Sequence, residues 1–419
     1  QIPCCILQAQ VNGHDEQAAR QARYNIMRAH INQDDVLLLA HHADDQAETV
    51  LMRLIQGAGV NGLSSMQPWR VQRQGGQHNI LWRPWLTIQR ARISAYAQRL
   101  QLPYIDDPTN DSGDNVRSGL RRDIMPILAT YNPNVIDNIA RSAQLLSDAQ
   151  DTINAQAMQD MQQTENTDLQ LLPAQRSLNI NALQKLPMYR QRQLLHYWLG
   201  QDEPLPPAKQ LVDDVLTLSQ RDNQDHQTEL FWQGRKASYT IRRYRQQLYR
   251  MSSEWLSWLN VPLTEQVLTL SNNLFSHSDN NLISLTMRSS DRYTWQLQVN
   301  ADALVRLLEN SANGVAQQVG LKVVPLGRKQ RLQTKMAGRP QAGKKLYQTL
   351  GVPLWLRDSL MVVSIILTKK SEDGSNIQTD IPLLLASPFE SWLLSSEQTD
   401  SDAKSNQLVE HIKSELRLE

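Results

Sequence analysis

Four ionisable side chains crowd into one short segment of the chain: His41, His42, Asp44 and Asp45. The apolar run from Val36 to Ala40 directly before them predicts a strand buried on both faces, as in a parallel sheet covered by helices. Open α/β sheets bind their ligands at the carboxyl ends of such strands, where the chain continues into a helix. An apolar core has no use for these groups, because each costs free energy when buried unpaired. A nucleotide with its magnesium ion suits this place, since Mg²⁺ prefers carboxylate oxygens.

A helix should follow this segment. Asp45 and Glu48 have the spacing of a capping box, and Gly57 predicts the end of the helix. Its apolar residues recur at helical spacing, at Val50, Leu51, Leu54 and Ile55. Two alternatives stay open. The aspartates could only cap the helix beside a solvated turn, or the segment could belong to a histidine–aspartate phosphohydrolase. The latter needs further metal ligands on separate helices, which the sequence does not evidently provide.

Composition indicates an ordinary globular protein. The 419 residues suffice for two or three domains, and 20% are charged. The adjacent Cys4 and Cys5 make a poor disulfide pair, which indicates a reducing cytoplasm. No apolar run approaches the roughly 18 residues that a membrane helix needs. The chain starts without methionine, and Ile2 to Ala9 predicts a strand already in progress.

The order of elements predicts an α/β fold with a doubly wound, mostly parallel sheet. A helix running to about His30 carries the pattern E-x-x-A-R-x-x-R-Y from Glu16 to Tyr24, whose arginines either form a solvated face or point at phosphate. The segment Gly57 to Gly62 matches G-x-G-x-x-G, but it follows a helix instead of a strand. We therefore reject a Rossmann site, although the loop still suits close approach by a ligand.

A second polar cluster lies further along the chain. The loop from Asp106 to Asp114 is dense in turn formers and carboxylates, and Arg117, Arg121 and Arg122 follow on a helix that should end near Pro126. An organised polar site and a merely solvated turn are both open here. A long polar helix from about Asn134 to Gln162 then predicts a spacer.

Helices are expected next over Leu183–Leu199 and Ala208–Leu218. The basic and aromatic stretch from Arg242 to Arg250, which includes Arg243 and Arg245, predicts a small hairpin; its alternative is an edge strand protected by charge.

The charge balance shifts between Leu321 and Arg357. This stretch has no Asp or Glu and nine basic residues: Lys322, Arg328, Lys329, Arg331, Lys335, Arg339, Lys344, Lys345 and Arg357. Such a one-sign patch is typical of a surface that binds a polyanion. Because Tyr347 and Trp355 could stack on unpaired bases, we expect RNA, with a solvated basic face as the alternative.

In their order and spacing, these motifs resemble the tRNA(Ile)-lysidine synthase family of the PP-loop, or N-type ATP pyrophosphatase, superfamily. The matching pieces are Glu16 to Tyr24, His41 to Thr49, Gly57 to Leu63, Arg83-Pro84, and Asp107 to Asn110 with Arg117 and Arg121. Leu183–Arg250 looks like the family's middle domain, and Gly338–Arg357 resembles its C-terminal domain.

The resemblance implies a catalytic domain over 1–133, a linker helix and a largely helical middle tRNA-binding domain over 134–255, and a small α+β C-terminal tRNA-binding domain over 256–419 with a basic core at about 317–394. It also implies a ligase. ATP adenylates the 2-keto oxygen of the wobble cytidine in tRNA(Ile), and the ε-amine of free L-lysine then displaces AMP to leave lysidine.

The resemblance assigns roles to particular residues. Asp44 and Asp45 face the nucleotide and Mg²⁺, and His41 and His42 shape the same catalytic pocket. ATP contacts are expected at Asp45, Gly57, Gly59 and Arg117. Contacts to tRNA are expected at Arg121, Arg122, Arg243, Arg245, Arg339, Lys344, Lys345 and Arg357.

Two departures from the family pattern stand out. The family's Ser-Gly-Gly-x-Asp-Ser phosphate loop does not occur in the sequence, and Ser118 stands where the family usually has Asn. We expect that an N-terminal segment carrying the loop is missing, so a catalytically silent RNA-binding protein is the main alternative. A tRNA thiolase of the same superfamily ranks lower, because it generally needs separated cysteines. The sequence leaves a homodimer open.

Overall fold

The computed structural model describes most of the chain, over residues 4–13, 16–74, 77–104, 116–164, 174–221, 228–270, 282–300, 316–334, 339–370, 376–394 and 412–418. The chain divides into two compact units, Gln1–Gln156 and Ala157–Glu419. The finer three-domain division stays a prediction. No helix among the described residues is long and apolar enough to cross a membrane.

The first unit joins helices to a small sheet. Its helices are α1 (Glu16–His30), α2 (Ala43–Ile55), α3 (Val60–Leu63), α4 (Arg90–Arg99), α5 (Val116–Gly119) and α6 (Met125–Tyr131), with a π-helical turn, Leu120–Ile124, between the last two. Its strands are β1 (Val36–Leu38), β2 (Trp69–Gln74) and β3 (Gln77–Trp82). Strand β3 lies in the centre, parallel to β1 and antiparallel to β2. The predicted α/β class is confirmed.

Three local predictions for this unit are wrong. Residues 4–12 form no strand, and Ile6 is 93% exposed. A strand requires a neighbouring strand to pair its backbone N–H and C=O groups. Strand β1 is not buried on both faces: the side chains of Val36 and Leu38 lie on the same face of the strand, and both are exposed among the described residues. The helical segment continues past Pro126, which lies in the first turn of α6, where its missing N–H costs no hydrogen bond.

Helix α2 begins one turn earlier than the predicted capping box. Its N-cap is His42, whose Nδ1 accepts from the backbone N–H of Asp45 at 3.4 Å. The Asp45 carboxylate accepts from the N–H of His42 at 3.0 Å, which completes a reciprocal box. Glu48 therefore does not cap the helix and lies in its interior.

The predicted end of α2 at Gly57 is confirmed. Gly57 has φ +74°, a conformation that suits glycine, and its N–H donates to the carbonyl of Leu54 at 3.0 Å. The next N–H, of Ala58, donates to the carbonyl of Arg53 at 2.9 Å. This pair of bonds is a Schellman motif. Gly59 then caps α3, so the glycine loop joins two helices, in agreement with the rejected Rossmann interpretation.

The long polar helix is α7 (Val135–Thr164), close to its predicted range. After it, helices α8 (Ile180–Gln184), α9 (Met188–Leu199) and α10 (Lys209–Gln220) pack with a four-stranded sheet of β4 (Gln175–Asn179), β5 (Glu229–Gln233), β6 (Ser238–Tyr244) and β7 (Gln247–Ser252). The predicted hairpin is β6–β7, pairing Tyr239 with Ser252 at one end. The first predicted helix is split before Pro187, which is the N-cap of α9.

The rest of the second unit is mainly sheet. Helix α11 (Ser253–Leu259) leads to β8 (Gln266–Leu270), β9 (Leu282–Ser289), β10 (Tyr293–Asn300), β11 (Ala316–Pro325), β12 (Arg331–Leu332), β13 (Gln341–Ala342), α12 (Gly343–Leu350), a 3₁₀ turn (Leu354–Ser359), β14 (Met361–Lys370), β15 (Asn376–Ala386), β16 (Ser391–Leu393) and β17 (Ile412–Leu418). Five strands form the larger sheet, in the order β16-β15-β14-β11-β8. One core joins this part to β7 through Trp255, Trp295 and Trp355.

Candidate functional site

Asp44 lies where two helices begin. It is in the first turn of α2, and its Oδ2 also accepts from the backbone N–H of Arg90, the first residue of α4, at 2.7 Å. Burial raises the pKa of Asp44, but the contact with His42 and the Arg90 N–H outweigh it, so the pKa lies below its usual value. The carboxylate is therefore ionised at neutral pH, where two helix N-termini favour negative charge.

The ring of His42 lies between the two aspartates. Its Nδ1 accepts from the Asp45 N–H at 3.4 Å and lies 3.5 Å from Asp44 Oδ2, and its Nε2 lies 3.4 Å from Asp45 Oδ2. The imidazole therefore helps to fix the positions of both carboxylates at the start of α2.

His41 is a half-buried imidazole that stays neutral. Burial lowers its pKa to about 4; the charge of Asp45 opposes this shift, and the nearby Arg83, Arg20 and Arg117 add to it. Its Nδ1 is buried without a hydrogen-bond partner in the part of the chain that the structure describes. At neutral pH, His41 therefore offers a polar nitrogen but no charge.

Glu48 is the best-buried charge of the site, with 1% of its surface exposed. Arg121 binds it with both arms of the guanidinium, Nε to Oε1 at 2.7 Å and Nη2 to Oε2 at 3.1 Å. Arg117 lies 3.5 Å from Oε2 and donates to the Thr49 hydroxyl at 3.4 Å. The hydrogen bond to Glu48 raises the pKa of Arg121. One buried acid thus holds two cations within a few residues of Asp44 and Asp45.

Two side chains of α2 hold the segment from Gly57 to Met66. Gln46 exchanges two hydrogen bonds with the backbone of Met66, at 3.0 and 3.1 Å. Arg53 donates to the carbonyl of Gly62 at 2.6 Å. Neither residue was predicted to have a role; their spacing of seven residues, which places both on one face of α2, was the available signal. Gly59 has open space beside its Cα, so its backbone is accessible to a ligand.

The two aspartates fit a hydrated magnesium ion and do not form a closed metal cage. Each has one carboxylate oxygen engaged by a backbone N–H, which leaves Oδ1 for a ligand. Among the described residues, no three histidine, cysteine or acidic side chains group as metal ligands. Mg²⁺ usually keeps waters and takes substrate phosphate, so two carboxylates suffice. The phosphohydrolase alternative, which needs more ligands, gains no support.

The structure separates the predicted basic residues of the first unit. Arg117 and Arg121 join Asp44 and Asp45 through Glu48, whereas Arg122 is exposed and binds its neighbour Asp123. The predicted acidic loop, Asp106 to Asp114, lies outside the described residues.

Arginines of the β6–β7 hairpin meet the C-terminal ends of three helices. Arg243 donates to the carbonyls of Leu218 and Ser219 in α10, both at 3.3 Å. Arg245 donates to the carbonyl of Gln348 in α12. Arg250, which sequence analysis left without a role, is fully buried and donates to the Leu199 carbonyl of α9 at 2.6 Å. Cations at helix C-termini bind carbonyls that lack a partner within the helix, and they interact favourably with the negative end of the helix dipole.

A basic patch surrounds the start of α12. We define it as the exposed Arg328, Lys329, Arg331, Arg339, Lys344 and Lys345. Arg331 in β12 pairs with Ala342 in β13. Gly343, the first residue of α12, lies against Arg328, since a Cβ at Gly343 would be 3.4 Å from the Cα of Arg328. The turn, the strand pair and the start of the helix are therefore adjacent. Lysines at a helix N-terminus work against its dipole, which indicates that the patch serves a function other than stability.

The two aromatic residues of this region are buried. Tyr347 and Trp355 are each only 7% exposed, so the prediction that they stack on RNA bases is wrong. Trp355 instead packs edge-on against Tyr249 at 5.0 Å. Arg357 lies over the ring of Tyr347 at 5.3 Å and is only partly exposed.

Changing Glu48 to Gln should destabilise the chain by about 3 kcal/mol, because two guanidinium groups then lose their buried anion. Urea denaturation measures the change in the free energy of unfolding. Arg122→Gln is the matched control: it breaks an exposed pair and should stay within about 0.5 kcal/mol of the unchanged chain. Equal losses in the two variants would contradict the role given to Glu48.

Comparisons with known proteins agree with this geometry. Residues 1–128 match the PP-loop domain family, and residues 178–249 match the TilS substrate binding domain. The tRNA(Ile)-lysidine synthase of Psychrobacter sp. (strain PRwf-1) is 36% identical over 440 residues, covering 97% of this chain and 82% of the relative. The synthases of Pseudomonas aeruginosa, 40% identical, and Acinetobacter baylyi, 33% identical, align over 48% and 61% of this chain and about half of their own lengths, 46% and 52%. The chain belongs to the tRNA(Ile)-lysidine synthase family.

Proposed function

We propose that this protein ligates free L-lysine to the wobble cytidine of tRNA(Ile) at the expense of ATP, in the cytoplasm. One observation carries the proposal: the carboxyl groups of Asp44 and Asp45 lie at the start of α2, close to two arginines held by Glu48, in a chain that aligns along 97% of its length with a tRNA(Ile)-lysidine synthase. This arrangement supplies carboxylates for a magnesium ion and cations for phosphate at one place.

The reaction has two balanced steps. The 2-keto oxygen of cytidine attacks the α-phosphorus of ATP; a P–O bond forms and pyrophosphate leaves with the electrons of the broken bond. The ε-amine of lysine then attacks C2; a C–N bond forms, the C2–O bond breaks, AMP leaves with the electrons of that bond, and the nitrogen releases one proton. Adenylation is needed because an amide-like oxygen is otherwise a poor leaving group.

The residues of the first unit have distinct parts in this proposal. Asp44 and Asp45 would hold Mg²⁺, which offsets phosphate charge when bound. Arg117 and Arg121 would stabilise the negative charge that grows on the leaving pyrophosphate, and Glu48 keeps both preorganised. His41 would contribute a neutral, buried nitrogen. Open backbone at Gly59 would allow close approach of the nucleotide.

The second unit would bind the tRNA. Its basic patch supplies six exposed cations: Arg328, Lys329, Arg331, Arg339, Lys344 and Lys345. Arg243 and Arg245 are better assigned to helix capping than to RNA, because their guanidinium groups donate to carbonyls of the protein. Arg357, partly exposed over Tyr347, would lie at the margin of the RNA surface.

Incorporation of labelled lysine into tRNA(Ile), with ATP and Mg²⁺ present, tests the ligase. We expect incorporation, and we expect Asp45→Ala to lower its rate by at least about tenfold, since a carboxylate for the metal is lost. Asp151→Ala, which removes an exposed acid from α7, is the control and should leave the rate unchanged. Retained tRNA binding without incorporation would favour the silent RNA-binding alternative. An unchanged rate in Asp45→Ala would overturn the assigned site.

Salt dependence of tRNA binding separates the patch from the helix caps. Replacing both Lys344 and Lys345 by Ala should lower the slope of log affinity against log salt by about 2, because each lysine displaces about one counterion. Arg243→Ala should leave the slope unchanged and lower the melting temperature, since a helix end loses its cap. Fluorescence anisotropy across a salt series measures the slope. A lower slope in Arg243→Ala, or an unchanged slope with a lower melting temperature in the Lys344 and Lys345 double variant, would contradict this division of roles.

A further inference from the structure

A cleft lies beside the C-terminal end of α12. It holds about 490 Å³, counted out to its open mouth. Its walls combine apolar side chains with the aromatic rings of Tyr249, Phe389 and Trp392. Burial raises the pKa of Tyr249 to about 12, so its hydroxyl is neutral at physiological pH. Aromatic walls of this kind suit a flat, unsaturated ring.

The floor of the cleft carries an amide with a fixed orientation. Gln175 is 2% exposed, and its Oε1 accepts from the indole N–H of Trp255 at 3.0 Å and of Trp355 at 3.3 Å. Two donors on one atom establish that atom as the oxygen, so the other end is the NH₂ group. This NH₂ group has no hydrogen-bond partner among the described residues and borders the cleft. It is a donor that a ligand in the cleft could reach.

A carboxylate stands at the mouth. Glu390 ends the turn between β15 and β16, which is closed by the Ser387 N–H donating to the carbonyl of Glu390 at 2.9 Å. Its side chain is exposed as a whole, yet the part inside the cleft loses enough water for burial to raise the carboxyl pKa. No described residue gives this carboxylate a hydrogen bond or an ion pair, so both its oxygens are available to a ligand.

We infer that this cleft binds an unpaired guanine of an RNA strand, with the ring between the aromatic walls, N1–H and N2–H on Glu390, and a ring acceptor on the Gln175 amide. The choice among bases follows from donors and acceptors. Guanine alone places two adjacent N–H donors on its pairing edge, which match the two oxygens of an ionised carboxylate. Adenine and cytosine set an acceptor beside the amine, and uracil offers one donor.

The neighbouring basic patch supports an RNA strand as the source of the base. Lys344 and Lys345 lie in the first turn of α12, whereas Leu350 and Gly351, at its other end, line the cleft. Eight residues of α-helix span about 12 Å, roughly the reach of two nucleotides. One strand could therefore contact the lysines with its phosphates and insert a base two positions on. The inference rests on the proposed tRNA-binding function and adds a base-reading site to it.

Labelled uridine hexamers with one central guanosine, inosine or adenosine test the cleft by fluorescence anisotropy on the full chain. We expect the guanosine strand to bind about tenfold tighter than the adenosine strand, as a bidentate base contact warrants. Inosine lacks the N2 amine and should fall between them. Glu390→Gln should abolish the preference, because its amide sets a donor against a donor.

The control is Asp291→Asn, which removes an exposed charge from a different hairpin turn and should keep the preference. If the loss of a negative charge were the only effect, both variants would bind all strands slightly more tightly. The proposed contact instead predicts that Glu390→Gln binds the guanosine strand more weakly. Equal binding of guanosine and adenosine strands, or a preference that survives Glu390→Gln, would overturn the cleft assignment. Binding of tRNA, measured in parallel, separates the causes: tRNA bound without guanine preference refutes only the cleft, whereas no tRNA binding refutes the proposed function as well.

Discussion

A single buried carboxylate, that of Glu48, holds the candidate catalytic site together. An acidic side chain with 1% exposure is tolerated only when nearby cations and hydrogen bonds replace its water. Arg121 and Arg117 provide them from the segment after the acidic loop, so the ion cluster ties that segment to α2. The same contacts keep two guanidinium groups near Asp44 and Asp45. A requirement of folding thus brings together positive and negative groups that phosphate chemistry with magnesium needs.

The second unit uses arginine for a different purpose. Arg243, Arg245 and Arg250 belong to one hairpin, and each reaches the carbonyls at the end of a different helix. The hairpin therefore fixes α9, α10 and α12 relative to the sheet that carries it. Because α12 presents Lys344 and Lys345 at its other end, the Arg245 cap at the carbonyl of Gln348 helps to position the exposed basic patch. Cations at helix ends and cations facing solvent thus have separate roles in a chain whose net charge is only +1.

Local sequence patterns predicted most elements, and tertiary contacts decided the remainder. The end of α2 at Gly57 and the β6–β7 hairpin follow from spacing and turn residues, and both were foreseen. The polar cluster of His41 to Asp45 also fell where it was expected. No local pattern distinguishes a guanidinium that caps a helix from one that awaits phosphate, so Arg243 and Arg245 were given to RNA. Trp355 was likewise given to RNA, because its burial depends on Gln175 and Tyr249, which are distant in sequence.

In the proposed reaction, this chain adenylates an RNA base before lysine takes part. Pyrophosphate release, followed with ATP, Mg²⁺ and tRNA(Ile) but without lysine, tests this order of steps. We predict a release that requires tRNA, stops when the bound tRNA has been adenylated once, and becomes continuous turnover when lysine is added. No release with tRNA present, either before or after lysine addition, would contradict the account.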